Sequence, residues 1–185
     1  MADKITETVI DIGGGKGEYF LGLAKANPDK NYIVLEPLNL PLDLKDKPEN
    51  LHLLAWKTDV DSMLPFPEGS IDEVHINMLH RVLDTKNRQD FRDWWEDRNG
   101  NNYDSAFSSM DERIADEDYL NLLLDAKRVL KVGGSLLIID IFSERIDPLI
   151  EKAGFKSWNR EEIGDSNKTD FTKDFHYLSE WTIKK

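Results

Sequence analysis

Apolar positions along the chain gather into short runs separated by stretches with one greasy and one polar side. Thr8–Ile12, Tyr32–Leu35, Leu51–Ala55 and Glu73–Asn77 are brief and rich in aliphatic or β-branched residues, as buried strands are. Gly17–Ala26 sets Phe20, Leu21, Leu23 and Ala24 on one side of a helix that Asn27-Pro28 stops. The segment PLNLPLDLKDKP carries Pro37, Pro41 and Pro48 and leaves little room for another helix. Tyr119–Leu130 reads as an amphipathic helix ended by Val132-Gly133-Gly134, and Ser135–Phe142 as a long fifth strand. A helix over Ile146–Ala153, closed by Gly154, precedes two last strands at Phe155–Arg160 and His176–Ile183.

Strands alternating with helices predict an α/β fold: a seven-stranded, mostly parallel, doubly wound sheet covered on both faces. The last two strands have no helix between them and should form an antiparallel C-terminal pair at one edge. One domain over residues 1–185 accommodates all of this. The irregular piece is 88–118, too long for an ordinary connection and expected to be an insertion.

Composition narrows the class. With 39% hydrophobic and 32% charged residues the chain reads as globular, and no apolar run approaches the roughly 18 residues of a membrane helix. MADKITET is too short and polar for a signal peptide, and the lack of cysteine fits a cytoplasmic protein without thiolate chemistry. A net charge of −12 disfavours a protein that coats polyanions. Residues 88–118 are the acidic extreme, with ten carboxylates against four arginines, interleaved with Phe91, Trp94, Trp95, Tyr103 and Phe107. Aromatics with carboxylates suit a cationic or amine-bearing ligand, although the same segment also reads as a solvated loop.

The chemistry concentrates in VIDIGGGKGEY, four glycines in five positions directly after the first strand. Backbone N–H groups and a helix start gather there at the carboxyl edge of the sheet. A phosphate-binding P-loop aligned on Gly15-Lys16 would put Ile10 at its first glycine and Gly17 at its magnesium-binding hydroxyl, so it fails twice. The dinucleotide fingerprint fails at Glu18, whose carboxylate would repel a pyrophosphate. What remains is D-x-G-x-G-x-G, formed by Asp11, Gly13, Gly15 and Gly17.

That loop, the LPFP…S-hydrophobic-D approach within KTDVDSMLPFPEGSIDEVHINMLHRVLD, and LLLDAKRVLKVGGSLLIID occur in order. Together they resemble the class I S-adenosylmethionine-dependent methyltransferases along nearly the whole chain. The resemblance implies that family's Rossmann-like fold, S-adenosyl-L-methionine as cofactor, and no metal. It implies Asp11 near the amino-acid end of the donor and the Gly13, Gly15 and Gly17 backbone beneath it. It puts Glu36 on the ribose hydroxyls, since a carboxylate suits two donors at once. Leu38 would pack on the adenine, Asp59 would accept from the adenine amino group with the Val60 N–H on the ring, and Asn77 would end the fourth strand beside the donor. Asp61 is an alternative to Asp59.

The acceptor side carries less. His80, after the fourth strand, is the candidate base, while His75 reads as a hydrogen-bonded core histidine. A small-molecule acceptor is favoured. The alternative is an RNA base, because parts of the chain are similar to tRNA guanine-7 methyltransferases; Asn77 is kept from their N-F-P motif, but Met78-Leu79-His80 replaces the rest. A non-catalytic S-adenosylmethionine-binding protein is the third reading. The N-terminal helices that cap the donor site in many relatives are not expected, and the oligomeric state is left open.

Overall fold

The computed structural model describes residues 6–14, 17–36, 46–56, 63–77, 112–140, 143–163 and 179–185. Seven strands among these form one sheet: β1 (Glu7–Ile12), β2 (Lys30–Glu36), β3 (Leu51–Ala55), β4 (Ile71–Asn77), β5 (Leu130–Asp140), β6 (Trp158–Glu162) and β7 (Ser179–Lys184). Their order is β3-β2-β1-β4-β5-β7-β6. Pairing is parallel from β3 through β5, and β7 runs antiparallel to both of its neighbours. The chain builds outward from β1 to β3 and then crosses back to β4. The strand order therefore reverses between β1 and β4, the place where open α/β sheets leave a crevice at their carboxyl ends.

Three helices are described: α1 (Glu18–Ala26), α2 (Glu112–Val129) and α3 (Ser143–Lys152). Alternation along the strands sorts the core into two layers. On one face Val9, Tyr32, Val34 and Leu51 pack with Phe20 and Ala24 of α1, a cluster of six buried residues. On the other, Ile10, Ile12, Leu35, Val74, Ile76, Leu136 and Trp181 meet α2 and α3 in a cluster of twenty-three. No described helix is long and apolar enough to cross a membrane.

Two sets of hydrogen bonds fasten the connections. Asn50 Nδ2 lies 2.8–3.1 Å from the carbonyls of Ala24, Asn27 and Lys30, tying the C-terminal end of α1 to the starts of β2 and β3. Arg128 of α2 donates to the carbonyls of Phe66 (2.9 Å) and Leu64 (3.1 Å), while the Asp125 carboxylate accepts from both Arg128 and the Leu64 N–H. This clamp holds the LPF turn ahead of β4.

The elements follow the sequence pattern, with two informative differences. β5 starts at Leu130 rather than Ser135 and runs through the glycine pair. Leu130 pairs with Ile71 and Ser135 with Glu73, so residues 131–134 bulge opposite Asp72. Gly133 has φ 81°, and a Cβ on Gly134 would come within 2.9 Å of the Asp72 carbonyl oxygen. The glycines thus make a bulge inside the strand instead of a turn before it. The Asp72 side chain spans the same place, accepting from Lys131 Nζ at 2.7 Å and from the Thr8 N–H at 2.8 Å. The second difference is α2, which begins at Glu112 and so takes in the last seven residues of the expected insertion. The rest of that insertion, 88–111, lies outside the described residues, as does the proline-rich segment 37–45.

Candidate donor-binding site

β1 and β2 pair in register, Asp11 against Val34 and Ile12 against Leu35, so Asp11 and Glu36 come to the carboxyl ends of neighbouring strands. Both are buried, at 1% and 8% exposure. After β1 the chain turns at once. Gly13, with φ 78°, donates to the Leu35 carbonyl at 2.9 Å, and Gly17, with φ 71°, donates to the Gly14 carbonyl at 3.0 Å. Both glycines sit in the left-handed region, which a side chain would strain. Gly17 is also the N-cap of α1, whose first backbone bond runs from Leu21 N to Gly17 O at 2.9 Å.

Gly14 is a residue that motif reading passed over, because it stands at a variable position of D-x-G-x-G-x-G. A Cβ there would lie 2.8 Å from Val34 Cγ1 and 2.9 Å from the carboxyl carbon of Asp11. The turn therefore lies flat on β1 and β2 only because Gly14 has no side chain. The density of glycines was the only signal for it.

β1 stands between β2 and β4, so Asp11 has Glu36 on one side and the end of β4, at Asn77, on the other. Of the residues the sequence singles out, Asp11, Gly13, Gly17 and Glu36 are brought together, and the backbone of Asn77 ends the next strand. Gly15, Leu38, Asp59, Val60, Asp61 and His80 lie outside the described residues. The two flanks of the segment carrying Asp59 and Val60 are nevertheless joined. Trp56 Nε1 donates to the Met63 carbonyl at 3.3 Å, and the Trp56 N–H donates to the Glu36 carbonyl at 3.2 Å.

A second carboxylate escaped notice in the sequence. Asp140 ends β5 fully buried, beside α2. Burial and then the charge of Asp140 push the Tyr119 phenol well above its ordinary range, so Tyr119 stays protonated. Within LLIID an aspartate at a strand end looks like any surface acid; only the packing of α2 reveals its burial. His75 is a core histidine, as expected, with Nε2 hydrogen-bonded to Glu73 and its ring edge-on to Phe20 at 5.3 Å. Among the described residues no group of three His, Asp or Glu side chains is placed to hold a metal.

No protein-family model matches the chain. A tRNA (guanine-N(7)-)-methyltransferase of Streptococcus sanguinis (strain SK36) is 38% identical over 74 residues, taking in 37% of this chain and 34% of that protein. The match thus spans about a third of the length of the curated relative. A SAM dependent methyltransferase from Aquifex aeolicus superposes with a TM-score of 0.58 over 98% of this chain and 83% of that one, at 16% identity. A 30S ribosomal A1408 methyltransferase from an uncultured bacterium gives 0.55 over 97% of this chain and 88% of that one, also at 16% identity. At such identities the likeness is one of architecture: the chain has the class I methyltransferase fold.

Proposed function

We propose that this chain is an S-adenosyl-L-methionine-dependent methyltransferase with its donor at the carboxyl edge of β1, β2 and β4. The observation that carries the reading is the side-chain-free backbone at Gly13, Gly14 and Gly17 between two buried strand-end carboxylates, Asp11 and Glu36. The group fits these residues. A turn that a single Cβ would obstruct leaves the backbone open to the methionine tail. Asp11, packed under that turn, holds its shape and sets a negative charge beneath a ligand with a cationic amino group. Glu36 is an acceptor-only carboxylate at the next strand end, suited to a ribose diol. When bound, the donor supplies an electrophilic methyl on a sulfonium; the protein's work is alignment and the exclusion of water. Asp59, with Val60, would read the adenine, Leu38 would cover it, and Gly15 and Asn77 complete the donor set.

For the acceptor we favour a small molecule, with His80 as the base where the acceptor carries a proton to remove. Net charge supports this, since −12 opposes a polyanionic substrate. The similarity to tRNA (guanine-N(7)-)-methyltransferases supports an RNA base as the second reading. Transfer of labelled methyl from S-adenosylmethionine into fractionated metabolite and RNA pools separates the two, with Glu36→Ala as the control. Label in the metabolite fraction, absent with Glu36→Ala, is expected. Label confined to RNA would reverse the acceptor assignment. Calorimetric binding of donor and demethylated product without transfer to any pool would make this a binding protein. A Glu36→Ala variant that binds the donor like wild type would remove the cofactor assignment.

A further inference from the structure

The sheet face that carries α1 is only partly covered among the described residues. α1 packs over β2 and β3, whereas Leu137 of β5 stays half-buried on that face and Thr182 and Lys184 of β7 are exposed. Central strands of a doubly wound sheet are ordinarily buried on both sides. Beside α1 the uncovered part forms a cleft of about 310 Å³, lined by apolar Val9, Leu23 and Leu137, by Tyr19 and Tyr32, and by Glu73 and His75. That volume lies at the lower end of the range for small-ligand pockets, about 300–1,000 Å³. The cleft extends away from the donor crevice: at one end His75 pairs in register with Asp11, and at the other Glu73 lies four residues before the end of β4, about 13 Å along the strand at 3.3 Å per residue.

We propose that this cleft is a second binding site, for a small organic cation with an ammonium group on a compact aromatic body. Tyr19, about half exposed, offers its ring to such a cation, and Val9, Leu23 and Leu137 offer apolar surface to its body. Glu73 supplies the counter-charge. His75 Nε2 takes its Oε1 and holds the carboxylate below the ordinary range, so it is ionised at neutral pH. Lys30, which also lines the cleft, is engaged by Glu7 at 2.5 Å. After burial, the carboxylates of Asp11, Glu180 and Glu73 are the main groups that raise the Tyr19 phenol, so added negative charge is disfavoured beside that ring.

The inference is independent of the donor assignment, and its test keeps the two apart. The full chain is titrated with benzylammonium, neutral benzyl alcohol and benzoate, followed by NMR at Tyr19, His75 and Leu137, with and without saturating S-adenosylmethionine. Benzylammonium is expected to shift these three residues and to bind at least about tenfold more tightly than benzyl alcohol, a difference of about 1.4 kcal/mol. Benzoate should not bind. Glu73→Gln should reduce the amine to the affinity of the alcohol. Leu137→Trp, which fills the cleft and leaves the carboxylate in place, should abolish both. Equal affinities for amine and alcohol, an amine preference that survives Glu73→Gln, or displacement of benzylammonium by S-adenosylmethionine would each overturn the proposal.

Discussion

Replacing Gly14 with alanine inserts one methyl group where the first turn lies on the sheet. Its Cβ would stand 2.8 Å from Val34 Cγ1 and 2.9 Å from the Asp11 carboxyl carbon, well inside the roughly 3.5–4.0 Å of ordinary carbon contacts. Val34 is 0% exposed and Asp11 1%, so neither can swing into solvent to make room. Overpacking of this kind costs about 1–3 kcal/mol. Taking about 2 kcal/mol, a chain of this length loses about 4–8 °C in Tm. Gly22 provides the opposite case within α1, since a Cβ there has nothing within 4 Å. Gly22→Ala should add about 1 kcal/mol by removing the entropy cost of glycine in a helix. Thermal unfolding by circular dichroism of both variants, with calorimetric titration of S-adenosylmethionine, is the assay. Gly14→Ala should melt earlier and bind the donor more weakly, and Gly22→Ala should melt later with binding intact. If Gly14→Ala matched wild type in both measurements, the tight seating of the turn on Asp11 and Val34 would be wrong.

Arg128→Ala removes the donor to the Leu64 and Phe66 carbonyls and leaves the Asp125 carboxylate, 13% exposed, without its cation. A loss of about 2–3 kcal/mol is expected in urea unfolding. Arg160→Ala, which breaks a more exposed pair with Asp147, should cost less than about 1 kcal/mol; equal losses would show that the clamp does not hold the LPF turn. Glu73 has its folded pKa depressed by the hydrogen bond from His75, so its contribution is present above the ordinary glutamate value of 4.5 and is lost as pH falls through the depressed one. The stability gap between wild type and Glu73→Gln should be open at about pH 6 and close on acidification below about pH 4; a gap unchanged to about pH 3 would contradict the pairing.

Most of the sheet was legible because short aliphatic runs such as TVIDI in β1 and YIVLE in β2 have few other uses, and because glycine spacing fixes where β1 must end. Asp11 and Glu36 were legible for the same reason: each stands at the carboxyl end of an unmistakable strand. The bulge in β5 was not, since Val132-Gly133-Gly134 after a helix reads locally as a turn, and only the pairing of Leu130 with Ile71 reveals continuity. The first turns of α2 were hidden by their charge, which by composition matches a solvated loop. Gly14, Asp140 and the cleft beside α1 depend on which atoms arrive from elsewhere in the chain. No local pattern encodes that.

Among the described residues the two core layers are unequal, six buried residues under α1 against twenty-three under α2 and α3. Opening free energies within a fold follow such differences, so the α1 layer should be the first to exchange its amide protons as a unit. Asn50 moors the C-terminal end of α1, and its N-terminal end hangs from the glycine turn. Fluctuations would therefore peel the helix from the turn outward while the opposite layer stays closed. A ligand seated on that turn adds its binding free energy to the smaller of the two described layers. Protection gained on binding would then be concentrated in α1 and the ends of β1 and β2, leaving α2 and α3 as they were.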